Sequence, residues 1–325
     1  MPIRLEEITF KAGTTPKSEH PLNVKLGSVL ILVGPNNSGK SLALREIENW
    51  CLGKNPSTKV ISNLKIEVPS DPVETLHLLK TFETNPPEDQ ISSVGNFWVG
   101  LHTFRNQQPL KLRISEQTMI DATNTRNMQQ LLPNLIAPYT VRLDGKTRFA
   151  LSNNQVTGDL KKSAENHLWA LFKNDEFRKR VRQLTKEAFN LYFTIDPTLM
   201  TQFSIQLSER PPIDSLEEQA LDERSRKFHA DAQHISEFSD GVQAFVGLIS
   251  AVLSLEHRIM LIDEPEAFLH PTLSYILGSN MAEIAEERKA SLIVSTHSPA
   301  FLMASIMKSS NISVVRLTYN NRIAT

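Results

Sequence analysis

The chain has 325 residues, which is enough for roughly two domains or one large elaborated domain. Its 35 Lys and Arg against 36 Asp and Glu give a net charge of -1, so composition gives no reason to expect a nucleic acid or an anionic membrane as partner. No window reaches the ~18 uninterrupted apolar residues of a membrane span and the N-terminal residues lack a signal-peptide layout, so we expect a cytoplasmic protein. The lone Cys51 cannot form an internal disulfide, and its place on an apolar helix face predicts packing.

The first elements in chain order are strands. Apolar residues alternate over 3–10, which predicts a half-buried strand, and 21–25 predicts another. The apolar run over 29–33 predicts a fully buried strand, and helical spacing begins near Lys40. A strand and a helix therefore flank the segment 34–41.

That segment reads G-P-N-N-S-G-K-S and fits the phosphate-binding loop pattern. The residues expected to bind nucleotide are Gly34, Pro35, Asn36, Asn37, Ser38, Gly39, Lys40 and Ser41. The two glycines let backbone N-H groups point at phosphate oxygens, Lys40 would lie along the β- and γ-phosphates, and Ser41 would ligate Mg²⁺. A simple turn with an adjacent Lys is the alternative, and the preceding strand argues against it. The sequence thus predicts a nucleoside triphosphate site.

The middle of the chain is predicted to be mostly strand and turn. The strands expected are 64–68, 97–101 and 110–114. A helix is expected around 121–132. The clearest hairpin prediction joins 141–143 to 147–151 through Asp144-Gly145, because this dipeptide supplies the positive φ angles of a tight turn.

Helical spacing returns over 163–191, with an apolar stripe and a largely basic opposite face. The basic residues are Arg178, Lys179, Arg180, Arg182 and Lys186. Such a face could follow a DNA backbone, but it is more often simply solvated, and nearby acidic residues dilute its charge. The polar segment 210–231 predicts a surface connection or an exposed helix.

Two further apolar strands end in chemically useful side chains. The strand before Asp263 and Glu264 brings both carboxylates to the sheet edge where ligands bind, so Asp263 is expected to reach Mg²⁺ and Glu264 to polarise the attacking water. Two acids that only cap a strand are the alternative. The strand 291–296 ends in His297, which could donate to the γ-phosphate or be structural, and Ser298-Pro299 then starts a helix.

A polar, glycine-containing segment, 239–243, heads an apolar helix. A helix start of this kind is either an anion site or an ordinary cap.

With these elements in this order, the chain resembles the ATP-binding-cassette (ABC) ATPases, and among them the soluble OLD-family and RecF-like proteins. The run from Asp263 to Pro271, D-E-P-E-A-F-L-H-P, points to the OLD-like branch most specifically. The fold class expected is α/β, a P-loop NTPase of the ABC type with a central mixed or parallel sheet. The division expected is a nucleotide-binding core of 1–56 and 236–325, a β-rich subdomain of 57–160 and a helical insertion of 161–235.

The resemblance implies a head-to-tail dimer in which each ATP lies between the phosphate loop of one protomer and the signature helix of the other. The signature residues would be Ser239, Asp240, Gly241 and Gln243, with His270 near the dimer seam. Asp240 departs from the commoner signature, and a carboxylate near a γ-phosphate predicts slow turnover unless it caps the helix. Gln155 is a weak candidate for the family's glutamine lever.

The resemblance also implies a function, an ATPase that acts as a switch and controls a nuclease in cis or in trans in phage defence or DNA repair. Family members commonly carry a C-terminal TOPRIM nuclease domain, which we do not find in this sequence, and we expect the natural protein to continue or a separate nuclease to act beside it. DNA is a further candidate partner. The alternatives are the nucleotide-binding subunit of a membrane transporter and a scaffold that only holds ATP; Glu264 argues against the scaffold.

Overall fold

The computed structural model describes residues 3–11, 20–54, 57–87, 89–90, 93–101, 110–159, 161, 163–254, 257–320 and 323–324. Strands β1 to β17 in chain order span Arg4–Phe10, Leu22–Lys25, Val29–Val33, Ile61–Glu67, Glu83–Thr84, Asn96–Leu101, Leu110–Ser115, Thr140–Leu143, Gln155–Val156, Tyr192–Asp196, Gln202–Ser208, Gln233–His234, Ile259–Asp263, Ser291–Ser295, Ile312–Arg316, Tyr319–Asn320 and Ile323–Ala324. Helices α1 to α12 span Lys40–Cys51, Pro72–Lys80, Glu116–Thr125, Met128–Leu131, Gly145–Ala150, His167–Lys173, Asp175–Phe189, Ser215–Gln219, Glu223–Asp231, Asp240–Ser254, Pro271–Glu287 and Pro299–Lys308. A π-helical turn, Leu132–Ile136, and 3₁₀ turns at Ala137–Tyr139 and Ile235–Glu237 complete the helical elements.

The sheet that positions the site has five parallel strands in the order β15-β3-β14-β13-β8. Strands β3, β14 and β13 are adjacent, and they lead respectively into the phosphate loop, His297 and Asp263. Because all three run in the same direction, their carboxyl ends meet at one edge. The predicted α/β class and parallel central sheet are confirmed.

Alternation along these buried strands divides the core between the two faces of the sheet. In β3, Val29 and Ile31 face one hydrophobic cluster, whereas Leu30 and Leu32 face the other. The first cluster packs against α10, α11 and α12, and the second contains the apolar residues of α1. Both faces are therefore covered, as a parallel sheet requires.

Antiparallel sheets surround this centre. Strands β2, β1 and β4 form one, β5, β6 and β7 a second, and β10, β11 and β12 a third, to which β9 is joined through β11. The strands predicted over 64–68, 97–101 and 110–114 are confirmed as parts of β4, β6 and β7, and the helix expected around 121–132 appears as α3 and α4.

The hairpin predicted around Asp144-Gly145 is wrong. Strand β8 instead joins the central sheet beside β13, and Gly145–Ala150 is the helix α5. Asp144 starts that helix, because its carboxylate accepts from the N-H of Thr147 and its carbonyl accepts from the N-H of Arg148. The division into core, β-rich part and helical insertion stays a prediction, although β8 now lies in the central sheet and 161–235 also contains strands.

The basic face predicted over 163–191 is largely neutralised within the chain. Helix α7 carries it, and Arg178 is buried rather than exposed. Its ion pairs are Arg178 with Asp175 and Glu218, Lys179 with Glu176, Arg180 with Glu283 and Glu287, and Arg182 with Glu218. These internal pairs favour the solvated or structural interpretation over contact with DNA.

The apolar run 312–317, a turn at Asn320-Asn321 and the residues that follow predict an incomplete hairpin at the end of the chain, and the structure differs from this prediction. Strand β15 is an edge strand of the central sheet, paired in parallel with β3. A separate two-stranded hairpin follows, made of β16 and β17, and Asn321 of its predicted turn lies outside the described residues.

Candidate nucleotide-binding site

The phosphate loop, residues 34–41, leaves β3 through a glycine that no other residue could replace in this conformation. Gly34 has φ 149°, and a Cβ there would lie 2.0 Å from the carbonyl oxygen of Leu317. Asn37 and Gly39 also have positive φ, 61° and 97°, and Gly39 directly precedes α1. These turns curl the backbone so that it ends at a helix N-terminus, which is the geometry that binds phosphate.

Lys40 folds back over this loop. Its Nζ donates hydrogen bonds of 2.9 Å to the carbonyl oxygens of Gly34 and Pro35. Burial lowers the pKa of Lys40, and the charges of Glu264, Asp263 and Glu266 oppose that effect. The ammonium group is thus held between the loop and a set of carboxylates.

Ser41 and Asp263 bring together the first and last thirds of the chain. The Ser41 hydroxyl donates to Oδ1 of Asp263 over 3.1 Å, and the Ser295 hydroxyl donates to the same oxygen. A serine hydroxyl and one carboxylate, with room left for phosphate oxygens and water, form the type of oxygen donor set that suits Mg²⁺. The chemistry of these two oxygen donors fits the expected metal.

Glu264 lies directly beside His297. Oε1 of Glu264 and Nε2 of His297 are 3.3 Å apart, and both side chains are partly exposed. The backbone of Glu264 has φ 49°, and its N-H donates to the carbonyl of Ser295 over 2.9 Å. An open carboxylate and an imidazole in contact can hold and transfer a proton.

Glu266 is a site residue to which the sequence analysis gave no role. Its Oε1 accepts from the hydroxyl of Thr296 and from the N-H groups of His297 and Ser298. The third carboxylate of the run D-E-P-E was the signal that could have found it.

Arg148 is a second residue that the sequence analysis missed, because the segment was interpreted as a hairpin strand. Its guanidinium is buried and donates to the carbonyl oxygens of Asp263, Glu264 and Ala267. Burial lowers the pKa of Arg148, and the charges of Glu266, Glu264 and Asp263 oppose that effect most strongly. Arg148 therefore holds the start of the carboxylate loop, residues 264–270, from inside the protein.

The signature segment, residues 239–243, lies at the start of α10, close to the carboxylate loop. A Cβ on Gly241 would lie 2.8 Å from the carbonyl oxygen of Phe268, so glycine permits this close approach. Gln243 donates to the carbonyl of Phe238, and His270 accepts from the N-H of Thr272 at the start of α11. In the ranges the structure describes, no hydrogen bond or ion pair links the signature residues to the phosphate loop.

Gln155, the candidate glutamine lever, lies in the short strand β9. Its side-chain amide donates to the carbonyl of Asn153, and β9 pairs with β11 rather than with a strand of the central sheet. The lever assignment stays a prediction that this position does not favour.

A protein-family model described as "AAA domain, putative AbiEii toxin, Type IV TA system" matches residues 29–304, which include every motif above. The chain belongs to this AAA-domain family. The match covers both the phosphate loop and the segment around His297.

Relatives of this AAA-domain protein agree with the resemblance drawn from its motifs. An OLD nuclease of Thermus scotoductus (strain ATCC 700910 / SA-01) is 22% identical over 335 aligned positions, covering 93% of this chain and 60% of the relative. The chain thus spans less than two thirds of that relative's length. The predicted resemblance to OLD and RecF-like ABC ATPases is confirmed.

A solved structure has a similar fold. An SMC head bound to the C-terminal winged-helix domain of ScpA is 12% identical, with a TM-score of 0.52 and coverage of 99% of this chain and 96% of that one. An SMC head domain from Thermotoga maritima is 14% identical, with a TM-score of 0.47 and coverage of 99% and 97%. Among the helices that the structure describes, none is both long and apolar enough to cross a membrane.

Proposed function

We propose that this AAA-domain protein is an ATP-hydrolysing switch that dimerises head to tail around ATP and controls a nuclease. One observation carries the proposal, the meeting of Ser41, Asp263, Glu264 and His297 at the carboxyl ends of three adjacent parallel strands. A site that only held ATP would need no partly exposed carboxylate beside a histidine.

In the hydrolysis step, water forms a new bond to the γ-phosphorus while the bond to the β-γ bridging oxygen breaks. Glu264 orients the water and accepts its proton, and His297 donates to a γ-phosphate oxygen. Lys40 leaves the carbonyls of Gly34 and Pro35 to bind the β- and γ-phosphates. Ser41 and Asp263 would hold Mg²⁺, which supplies positive charge against the phosphate oxygens.

The second half of the site would come from a partner copy. Ser239, Asp240, Gly241 and Gln243 lie at the start of α10 and make no described contact with their own phosphate loop. An exposed aromatic pair beside them supports a protein interface, since the rings of Phe149 and Phe268 are 5.2 Å apart and 37% and 58% exposed. His270 lies on the same loop as Phe268, in keeping with a place near the seam.

Control of a nuclease is supported by the relationship to the OLD nuclease. A dimer that closes on ATP and opens after hydrolysis offers two states for a cutting domain in cis or a cutting subunit in trans. Phage defence or DNA repair is the setting we propose, with DNA as a substrate of the nuclease. The protein would act in the cytoplasm.

The test compares wild type with Glu264→Gln and Lys40→Ala. We expect Glu264→Gln to lower ATP turnover on the order of 100-fold while it still binds ATP and accumulates a dimer in light scattering. Lys40→Ala should weaken ATP binding by about 10- to 100-fold, whereas Arg45→Ala, an exposed change on the same helix, should not. Unchanged turnover in Glu264→Gln would remove the assigned base, and a wild type that binds no ATP would overturn the whole proposal.

The nuclease part needs a second experiment. Native mass spectrometry of Glu264→Gln, expressed from its own locus with ATP and Mg²⁺, should show a subunit heavier than 36.6 kDa or a bound partner, and the complex should cut DNA. A bare dimer without DNA cleavage would contradict control of a nuclease. A membrane subunit would instead support the transporter alternative.

A further inference from the structure

Glu266 connects the carboxylate loop to the switch loop, residues 296–298. A single oxygen, Oε1, accepts from the Thr296 hydroxyl over 2.7 Å, from the N-H of His297 over 2.8 Å and from the N-H of Ser298 over 3.1 Å. Ionised acceptors form stronger hydrogen bonds than neutral ones, so three donors on one carboxylate oxygen form a firm clamp.

The loop that carries this clamp also carries the proposed base. Oε1 of Glu264 faces the imidazole of His297, while Glu266 binds the backbone N-H of the same residue. Pro265, between them, is buried, and the N-H of Ala267 donates to the carbonyl of Glu264 over 3.0 Å. One short, constrained loop thus holds His297 at both its side chain and its main chain.

Glu266 lies near two features that carry positive charge, a helix N-terminus and Arg148. Ser298 caps α12 by accepting from the N-H of Phe301, so Glu266 lies at the positive N-terminal end of that helix. The Glu266 charge is also the strongest of those that oppose the burial effect on Arg148. Oε2 of Glu266 is buried and, in the described part of the chain, has no hydrogen-bond partner. The two carboxylate oxygens therefore differ, since Oε1 takes all three hydrogen bonds and Oε2 takes none in the described residues.

We infer that Glu266 is a positioning residue that fixes the backbone of His297, so that only the imidazole moves between Glu264 and the γ-phosphate. The inference rests on the proposed ATPase function. With its N-H held, His297 can change partner by rotating its side chain, without any shift of the switch loop. The distance from imidazole to phosphate is then set by Glu266, although Glu266 touches no reacting atom.

The test uses Glu266→Ala, Glu266→Gln and Thr296→Val. We expect Glu266→Ala to lower kcat by about 10- to 100-fold, since small misplacements of a catalytic group have effects of this size, with KM for ATP changed less than about threefold. Glu266→Gln keeps the acceptor oxygen and should restore most of kcat. Thr296→Val removes one of the three donors at similar volume, together with the hydroxyl that accepts from the Ser298 N-H over 3.0 Å. In combination with Glu266→Ala it should lower kcat by less than the product of the two single effects, because both changes act partly through one clamp.

Hydrogen exchange supplies a readout that needs no turnover. In wild type and Glu266→Gln, the amide of His297 should exchange slowly, and in Glu266→Ala at least about tenfold faster, whereas the Ser298 N-H keeps the Thr296 hydroxyl as a second acceptor. Glu209→Ala, an exposed carboxylate change, is the control for both measurements.

Different results would separate the two proposals. If Glu266→Ala folds and binds ATP with unchanged kcat, or if it loses kcat while the His297 amide stays protected, the positioning role is overturned and the ATPase proposal stands. If wild type hydrolyses no ATP, the proposed function fails and this role fails with it, whatever the exchange rates show.

Discussion

The hydroxyl of Ser41 lies 3.1 Å from a carboxylate oxygen of Asp263, although 222 positions separate them in the sequence. Strand β14 lies between the strands that lead to these residues, and its last residue, Ser295, donates to the same oxygen. Residues at or after the ends of three adjacent strands therefore meet at one carboxylate oxygen. A metal ion bound here would coordinate this oxygen in place of its hydrogen bonds from the two hydroxyls. Substitution of Asp263 is therefore the most direct test of metal binding.

We predict that Asp263→Asn raises the Mg²⁺ concentration needed for half-maximal ATP turnover by at least about tenfold, because a neutral amide is a weaker ligand than a carboxylate. ATP binding without Mg²⁺ should stay close to wild type. Ser295→Ala is the matched control, because it removes only a donor to the same oxygen. A Mg²⁺ titration of ATP turnover measures the effect, and an unchanged midpoint in Asp263→Asn would show that the metal is held elsewhere.

Much of the fold could be predicted because the site strands are buried on both faces and therefore read as continuous apolar runs. Each run ends in its functional residues, so the sequence alone places Lys40, Asp263 and His297 at one sheet edge. Sequence spacing alone can therefore locate a functional residue when that residue follows closely after a continuous apolar strand.

The missed contacts depend on pairing between distant segments. Strand β8 has four residues, and only its parallel pairing with β13 distinguishes it from one arm of a hairpin. Arg148 could not be assigned to the site while Asp144-Gly145 was interpreted as a turn. Glu266 was likewise given no role and Arg178 was placed on a solvated face, because their partners lie on other elements.

We predict that Arg148→Met lowers kcat at least about tenfold, because the carbonyls of Asp263 and Glu264 lose a donor that fixes the carboxylate loop. Arg148→Lys should recover only part of this, since one ammonium group cannot reproduce the guanidinium fork. Steady-state kinetics with a thermal unfolding curve for each variant would check the prediction. A folded Arg148→Met protein with wild-type kcat would contradict it.

We predict that Glu218→Gln lowers the free energy of unfolding by about 3–5 kcal/mol, the usual cost of breaking a buried ion pair from one side. Glu218 and Arg178 are 1% and 2% exposed, their closest charged atoms are 2.7 Å apart, and Glu218 also binds Arg182 and Thr194. Glu176→Gln breaks an exposed pair on the same helix and should change little. Urea unfolding measures both variants, and equal midpoints would mean that the buried pair contributes no more than a surface pair.

We predict that Cys51 does not react with thiol reagents in the folded protein at pH 8. Burial raises the pKa of its thiol to about 12, so the reactive thiolate is almost absent at that pH. The folded state favours the protonated thiol, so this group's stabilising contribution is complete below the ordinary thiol pKa of about 8.5 and is lost as the pH rises through about 12.

A disulfide-exchange assay would count thiols in native and denatured protein, with the exposed Ser57→Cys variant as a positive control. We expect no reactive thiol in native wild type, one after denaturation, and one fast-reacting thiol in native Ser57→Cys. Because Cys51 lies on α1, the helix that begins with Lys40, rapid labelling of native wild type would show that this helix opens easily from the sheet. Protection of Cys51 would show instead that the helix carrying Lys40 and Ser41 stays packed, which a preformed phosphate site requires.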